Sequence, residues 1–220
     1  MKLSLCTSLV NSKQNLEIFF RSIETQSYQN WELLICDDCS KDSTKNFIRK
    51  KMETNKKIVF LENKYNLGLT RSLIKLVDKV DENGYVVRLD DDEIHISEYL
   101  ISLSYLFKKG HDLIVYTEFP NLARIILRLH SKNKFLASLF LALLGNIGSH
   151  GGTSFRKKLY TKTGGYSKSF FLSQDYHLLL RLIKYSENPI FVNTLNYKPF
   201  EIPRLNQKLS SNEILMQKIF

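Results

Sequence analysis

The sequence predicts an α/β protein, one domain built on a mostly parallel sheet with helices on both faces. Three observations predict it. Apolar, β-branched runs alternate with helical-period segments through the first half of the chain. Two of those runs, at residues 31–44 (WELLICDDCSKDST) and 85–93 (YVVRLDDDE), stop abruptly in carboxylates. The length, 220 residues, suits one such domain with a substantial core.

The elements follow in order. Residues 3–9 read as the first strand rather than as a secretory leader, because polar residues follow at once and no small-residue cleavage pattern is present. Residues 14–26 carry Leu16, Phe19, Phe20 and Ile23 at helical spacing. Residues 31–36 form strand two, and 42–52 a helix with Ser40 or Asp42 near its N-cap. Residues 57–61 form a short third strand. Residues 67–80 form a helix with Leu69, Leu73, Leu76 and Val77 on one face. Strand four, 85–89, is introduced by the turn pair Asn83-Gly84. Residues 97–109 are helical and 112–116 are a fifth strand.

The second half is less regular. LARIILRLH and KFLASLFLALL read as two short helices joined by the basic link 132–134. Residues 151–155 form a strand, 157–163 a helical turn closed by Gly164-Gly165, and 174–185 an amphipathic helix. Residues 190–192 and 196–202 complete the set as short strands. The longest apolar run, 135–144, falls short of the roughly 20 residues that span a bilayer. No linker divides the chain: residues 1–117 and 118–220 are two halves of one domain.

Composition narrows the function. With 43% apolar and 25% charged residues, the chain is not a disordered tail. Its net charge of +10 suits an anionic partner: nucleotide, nucleic acid or acidic membrane surface. In an open α/β sheet ligands bind at the carboxyl ends of the strands, where both acidic clusters fall. Crowded carboxylates repel one another unless a cation or donor groups lie between them, and a divalent ion and a nucleotide's sugar hydroxyls fill that role. A nucleic-acid module fits poorly, because strand-end acids repel phosphate. A nucleotidyltransferase would open with a Gly-rich phosphate loop, which VNSKQ at 10–14 lacks. Cys36 and Cys39 form a C-x-x-C, read either as half a metal or redox motif or as a buried small residue plus a loop residue. Three cysteines in this pattern are compatible with a reducing, cytoplasmic setting.

Each acidic segment also has a plain structural reading. DDCSKDST can be a capped turn, RLDDDE a solvated loop, and Asp175 an ordinary acid at a helix start stabilised by the dipole. Asn66 and Gly68 suit a turn before a helix whose first turns carry Arg71, able to meet a base or phosphate. His150, just before Gly151-Gly152, reads as a turn histidine, and only the resemblance carried by the motifs below implies a late metal ligand instead.

Taken together, QSYQNWE at 26–32, DDCSKDST at 37–44, Asn66 and Gly68, the D-x-D of Asp90 and Asp92, Gly164-Gly165-Tyr166 and Gln174-Asp175 resemble glycosyltransferase family 2, inverting enzymes with a GT-A fold. The resemblance covers residues 3–206. It implies that Asp38 binds the uracil and ribose side of a nucleotide-sugar donor with Asp37 in support. Thr7 and Ser8 would lie under the nucleotide and Arg71 near its base or phosphates. Asp90 would meet the ribose and share with Asp92 a Mn²⁺ or Mg²⁺ on the diphosphate, and Asp175 would be the catalytic base. The chain departs from the family pattern at Gln174, where Glu is usual. That departure leaves open a catalytically impaired sugar-nucleotide binder. The implied acceptor is a saccharide or lipid-linked saccharide. The mixed basic and apolar 124–144 segment reads either as a covered helix pair, forming the acceptor-side wall or a dimer contact, or as contact with the anionic inner face of the cytoplasmic membrane.

Overall fold

The structure, a computed structural model, describes residues 1–148, 152–170 and 173–193. The expected strand at 196–202 and His150 lie outside them. Seven strands form one sheet in the order β3-β2-β1-β4-β6-β5-β7. They are β1 (Leu3–Leu9), β2 (Trp31–Asp37), β3 (Ile58–Glu62), β4 (Tyr85–Arg88), β5 (Leu113–Thr117), β6 (Thr153–Arg156) and β7 (Pro189–Asn193). Every neighbouring pair is parallel except the two made by β6, which runs antiparallel to both β4 and β5. The expectation of a mostly parallel sheet therefore holds.

Helices α1 (Lys13–Glu24), α2 (Thr44–Thr54) and α4 (Tyr99–Lys108) cover one face. Helices α3 (Leu69–Val77), α5 (Pro120–Lys132), α6 (Lys134–Leu144), α7 (Lys157–Lys162) and α8 (Gln174–Tyr185) cover the other. The period-2 alternation of side chains along a strand builds two cores. Leu3, Leu5, Leu33, Ile35 and Val87 pack against Phe19, Phe20, Ile23, Leu103 and Phe107 on the first face. Cys6, Leu34, Cys36, Val86 and Phe155 pack against Leu73, Leu76, Val77, Leu178 and Leu182 on the second. Each fully buried Leu, Ile or Phe contributes roughly 1.5–3 kcal/mol.

Several boundaries differ from the sequence reading. Helix α3 begins at Leu69, and Leu69 itself is exposed; Leu73, Leu76 and Val77 form the buried stripe. Gly68 opens this helix at φ 81°, a left-handed conformation that favours glycine. Asp42 sits just ahead of α2, and its carboxylate accepts the Thr44 N–H at 2.9 Å. Gly164 and Gly165 end α7 with φ of 81° and 66°. A Cβ on Gly165 would lie 2.6 Å from the Tyr160 ring, so only glycine fits there. The turn then delivers Tyr166, whose N–H donates to the Tyr160 hydroxyl at 3.1 Å.

Candidate active site

The site is built at the carboxyl edge of the sheet around the tip of β1. Strand β1 pairs with β2 on one side and β4 on the other. Two strand spacings, about 10 Å, therefore separate the chain ends that carry Asp37-Asp38 and Asp90–Asp92.

On the β2 side the ladder runs to the last residue. The Asp38 N–H donates to Leu9 O at 2.7 Å and the Asn63 N–H to Asp37 O at 2.9 Å. Asp37 is fully buried; its Oδ2 accepts the Ser40 N–H at 2.9 Å and lies 3.9 Å from Lys45 Nζ, while its Oδ1 has no hydrogen-bond partner. Asp38 is also buried. It accepts from Asn63 Nδ2 at 2.8 Å, Leu67 N–H at 2.7 Å and Gly68 N–H at 2.8 Å. A carboxylate offers about four lone-pair directions. Asp38 thus spends most of its accepting capacity on holding the 63–68 loop ahead of α3. Thr7 is fully buried with Oγ1 unpartnered, Ser8 is half-buried beside it, and Arg71 is exposed in the first turn of α3.

On the β4 side the four acids diverge. Asp90 pairs with the buried Arg88, whose Nη2 lies 2.5 Å from Asp90 Oδ1. Arg88 also donates to Leu89 O. Burial opposes the Arg88 charge, but Asp90 and then Asp175 outweigh it and hold the guanidinium firmly protonated. Asp91 turns back to α1, where Asn15 Nδ2 approaches its Oδ2 at 3.5 Å. Burial raises its pKa and a Ser12 hydrogen bond opposes that. Asp92 is exposed and makes no hydrogen bond or ion pair among the described residues. Glu93 Oε2 is buried without a hydrogen-bond partner. Burial pushes the Glu93 carboxyl up, and the charge of Asp90 pushes it further.

Helix α8 packs on the second face of the sheet and carries Asp175. Asp175 lies in its first turn, where the helix dipole favours a carboxylate. Tyr166 Oη donates to Asp175 Oδ1 at 2.8 Å, and Gln174 Nε2 lies 3.4 Å from Oδ2. The Gln that replaces the family's usual Glu thus offers a donor to the neighbouring carboxylate instead of a second negative charge. Burial, then the Asp175 charge, pushes the Tyr166 phenol well above its ordinary pKa, so it stays a donor.

Sequence reasoning singled out neither Arg88 nor Asn63, and it counted Tyr166 in a motif without giving it a role in the site. A lone Arg inside the apolar YVVR run was the available signal, since such a charge is expensive unless paired. Cys36 packs in the core, Cys39 Sγ lies 3.5 Å from Lys64 O, and both are free thiols. The buried-residue reading of C-x-x-C therefore stands.

The donor set suits a hard cation, because Asp90, Asp92 and Glu93 offer only carboxylate oxygens. No group of three or more His, Cys, Asp or Glu is arranged around one point among the described residues. With Asp90 engaged by Arg88 and Glu93 buried, Asp92 is an exposed carboxylate open to an ion. Mg²⁺-type sites commonly take one or two carboxylates and complete the shell with substrate phosphates and water. The residues fit that pattern.

The sequence model of "Glycosyl transferase family 2" matches residues 4–168. "Putative glycosyltransferase EpsE" of Bacillus subtilis is 30% identical over 118 residues, 53% of this chain and 42% of that protein. "UDP-Glc:alpha-D-GlcNAc-diphosphoundecaprenol beta-1,3-glucosyltransferase WfgD" of Escherichia coli is 28% identical over 178 residues, 79% of this chain and 66% of that one. The chain thus spans less than half the length of EpsE. Among solved structures, S. aureus TarS in complex with UDP superposes with TM-score 0.67 at 16% identity, over 87% of this chain and 58% of that chain. "Mannosyltransferase PcManGT from Pyrobaculum calidifontis in complex with GDP-Man and Mn2+" gives TM-score 0.66 at 17% identity, over 87% of this chain and 56% of that chain. The fold shared with these glycosyltransferases is the GT-A fold that the motifs implied. With the family's own sequence pattern running from β1 past Tyr166, the chain belongs to glycosyl transferase family 2.

Proposed function

We propose that the chain is an inverting glycosyltransferase. It moves a sugar from a nucleotide-diphosphate donor, a UDP-sugar, to a hydroxyl of a saccharide acceptor during assembly of a cell-surface polysaccharide or glycolipid. The observation that carries this reading is the convergence of the Asp37-Asp38 and Asp90–Asp92 strand ends on the tip of β1 in a family 2 chain. The UDP bound to TarS and the "teichuronic acid biosynthesis" in the name of a 29% identical Bacillus subtilis relative support donor and setting.

Residues 1–117 hold the donor and 118–220 the acceptor. Asp38 meets the base and ribose with the buried Asp37 in support behind it, Thr7 and Ser8 lie under the nucleotide, Asp90 is at the ribose and the exposed Arg71 is available to base or phosphate. A Mn²⁺ or Mg²⁺ held by Asp92 beside Asp90 would supply charge neutralisation on the diphosphate. Asp175 takes the proton of the acceptor hydroxyl as that oxygen forms its bond to the anomeric carbon. The bond to the diphosphate breaks with its electron pair on the leaving oxygen, and the anomeric centre inverts.

A thermal-shift series of UDP-, GDP- and dTDP-sugars tests the donor, since a ligand at 100 times its Kd adds about 2.7 kcal/mol of stability. The expected result is a rise in Tm with a UDP-sugar and an inverted linkage by NMR coupling constant. No response to any nucleotide sugar would overturn the assignment, and a retained anomer would overturn single displacement.

The acceptor side suggests a lipid-linked saccharide met at an anionic membrane surface, the cytoplasmic face of the cell membrane. Residues 119–174 contain no Asp or Glu. Helices α5 and α6 expose Arg124, Arg128 and Lys132 beside Phe135, Leu136, Leu139 and Leu143. No helix among the described residues is long and apolar enough to cross a membrane. Helix α6 is fastened to α8 by Tyr176 Oη donating to Leu141 O at 2.9 Å and Ser138 Oγ to Leu180 O at 2.9 Å. The chain is expected to float with phosphatidylglycerol vesicles but not with phosphatidylcholine, and to lose flotation in R124E/R128E. Equal behaviour with both lipids would refute an electrostatic membrane contact.

A further inference from the structure

We propose that Asn63 is a positioning residue that sets base selectivity: held by Lys75, its amide occupies one oxygen of Asp38 and leaves that carboxylate a single direction in which to read a nucleotide base. This rests on the assignment of Asp38 to the base of the donor.

Asn63 directly follows β3 and is 4% exposed. A buried amide is expensive unless it is hydrogen-bonded, and each polar atom of this side chain is used. Nδ2 donates to Asp38 Oδ1 at 2.8 Å and to Ser72 Oγ at 2.8 Å, and Oδ1 accepts from Lys75 Nζ at 2.6 Å. Its backbone N–H donates to Asp37 O at 2.9 Å, so main chain and side chain are both tied to the acidic pair. Lys75 decides which way the amide points. An ammonium only donates, so it holds the amide oxygen on its own side and turns the NH2 group toward Asp38. Ser72 and Lys75 stand at i and i+3 on α3, so one face of that helix supplies both anchors.

The accepting capacity of Asp38 follows. Oδ1 receives Asn63 and the Leu67 N–H, which takes up both of its lone pairs. Oδ2 receives the Gly68 N–H, which is shared with Asn66 Oδ1 at 3.1 Å. One direction remains, on Oδ2. Uracil presents a single ring N–H and needs one acceptor. Guanine presents two parallel N–H groups, and a carboxylate receives such a pair only with a lone pair open on each oxygen. Asn63 closes the oxygen that guanine would need, a specificity built by blocking the competitor.

A purely structural role, fastening β3 to α3, would cost stability without favouring one base over another. Base selection predicts a change in the ratio of two affinities.

The test is calorimetric titration of the full chain with UDP and with GDP, Mn²⁺ present. N63A is expected to weaken UDP binding about tenfold, the worth of one hydrogen bond to a charged group, while GDP binding holds or tightens. The preference for UDP over GDP therefore narrows about tenfold or more. K75M serves if N63A fails to fold. Lys75 is exposed and borders an open cleft of about 360 Å³ with Leu61, Glu62, Asp78 and Lys79, so its replacement leaves both cores intact. Freed of its anchor, the amide can turn, and the same preference should narrow about threefold. A UDP-to-GDP ratio unchanged in both variants would overturn this inference alone. A wild-type chain that prefers GDP, or binds neither nucleotide, would remove the donor assignment and this inference with it.

Discussion

D175N is expected to lower kcat about 1,000-fold, within the range that general-base catalysis supplies, and to leave UDP affinity unchanged within about twofold. The amide keeps an oxygen for the Tyr166 hydroxyl, so the 2.8 Å bond that orients this side chain survives. What disappears is the ability to accept a proton. Stability should fall by only about 0.3–1 kcal/mol, the worth of one acid at a helix N-terminus. Steady-state kinetics paired with UDP titration checks this. A loss of UDP binding that matches the loss of turnover would mean that Asp175 serves the donor.

D92A is the second large effect. Asp92 is exposed and uninvolved in any hydrogen bond or ion pair among the described residues, so its removal should change stability by no more than about 0.5 kcal/mol. A cation on a departing diphosphate is worth several kcal/mol, hence a loss on the order of 100- to 1,000-fold in metal-stimulated turnover. Manganese titrations of both proteins after EDTA treatment read this directly, and undiminished stimulation in the variant would refute the role. Asp90 would be a poor probe for the same question. Its removal leaves the buried Arg88 without its partner, and stranding a buried charge costs about 3–5 kcal/mol.

What could be read from the sequence was set by local periodicity. An apolar run followed at once by acids gave β2, β4 and the edge at which they meet, because strand direction and ligand side are linked in a parallel sheet. The partners of those acids were not readable. Asp38 is held by Leu67 and Gly68, Asp90 by Arg88, and Asp175 by Tyr166, and only packing decides among such pairings. The repetition in RLDDDE concealed a division of labour: Asp91 faces α1, Asp90 faces Arg88, and Asp92 faces solvent. The exposed Leu69 shows the same limit, since helical spacing assigns a face but not where the helix begins. The reversed direction of β6 was equally silent, because alternation of side chains reads the same both ways along a strand.

That reversed strand has a consequence for remodelling the protein. The register Val87↔Ser154 and Tyr85↔Arg156 puts the start of β6 beside the reactive rim and its finish at the opposite pole. For the parallel strands, loop grafts that retune chemistry belong after the strand. For β6 the rule inverts: its start at Thr153 lies at the rim where β2 and β4 end in acids, and its finish at Arg156 lies at the opposite pole, where α7 follows at once.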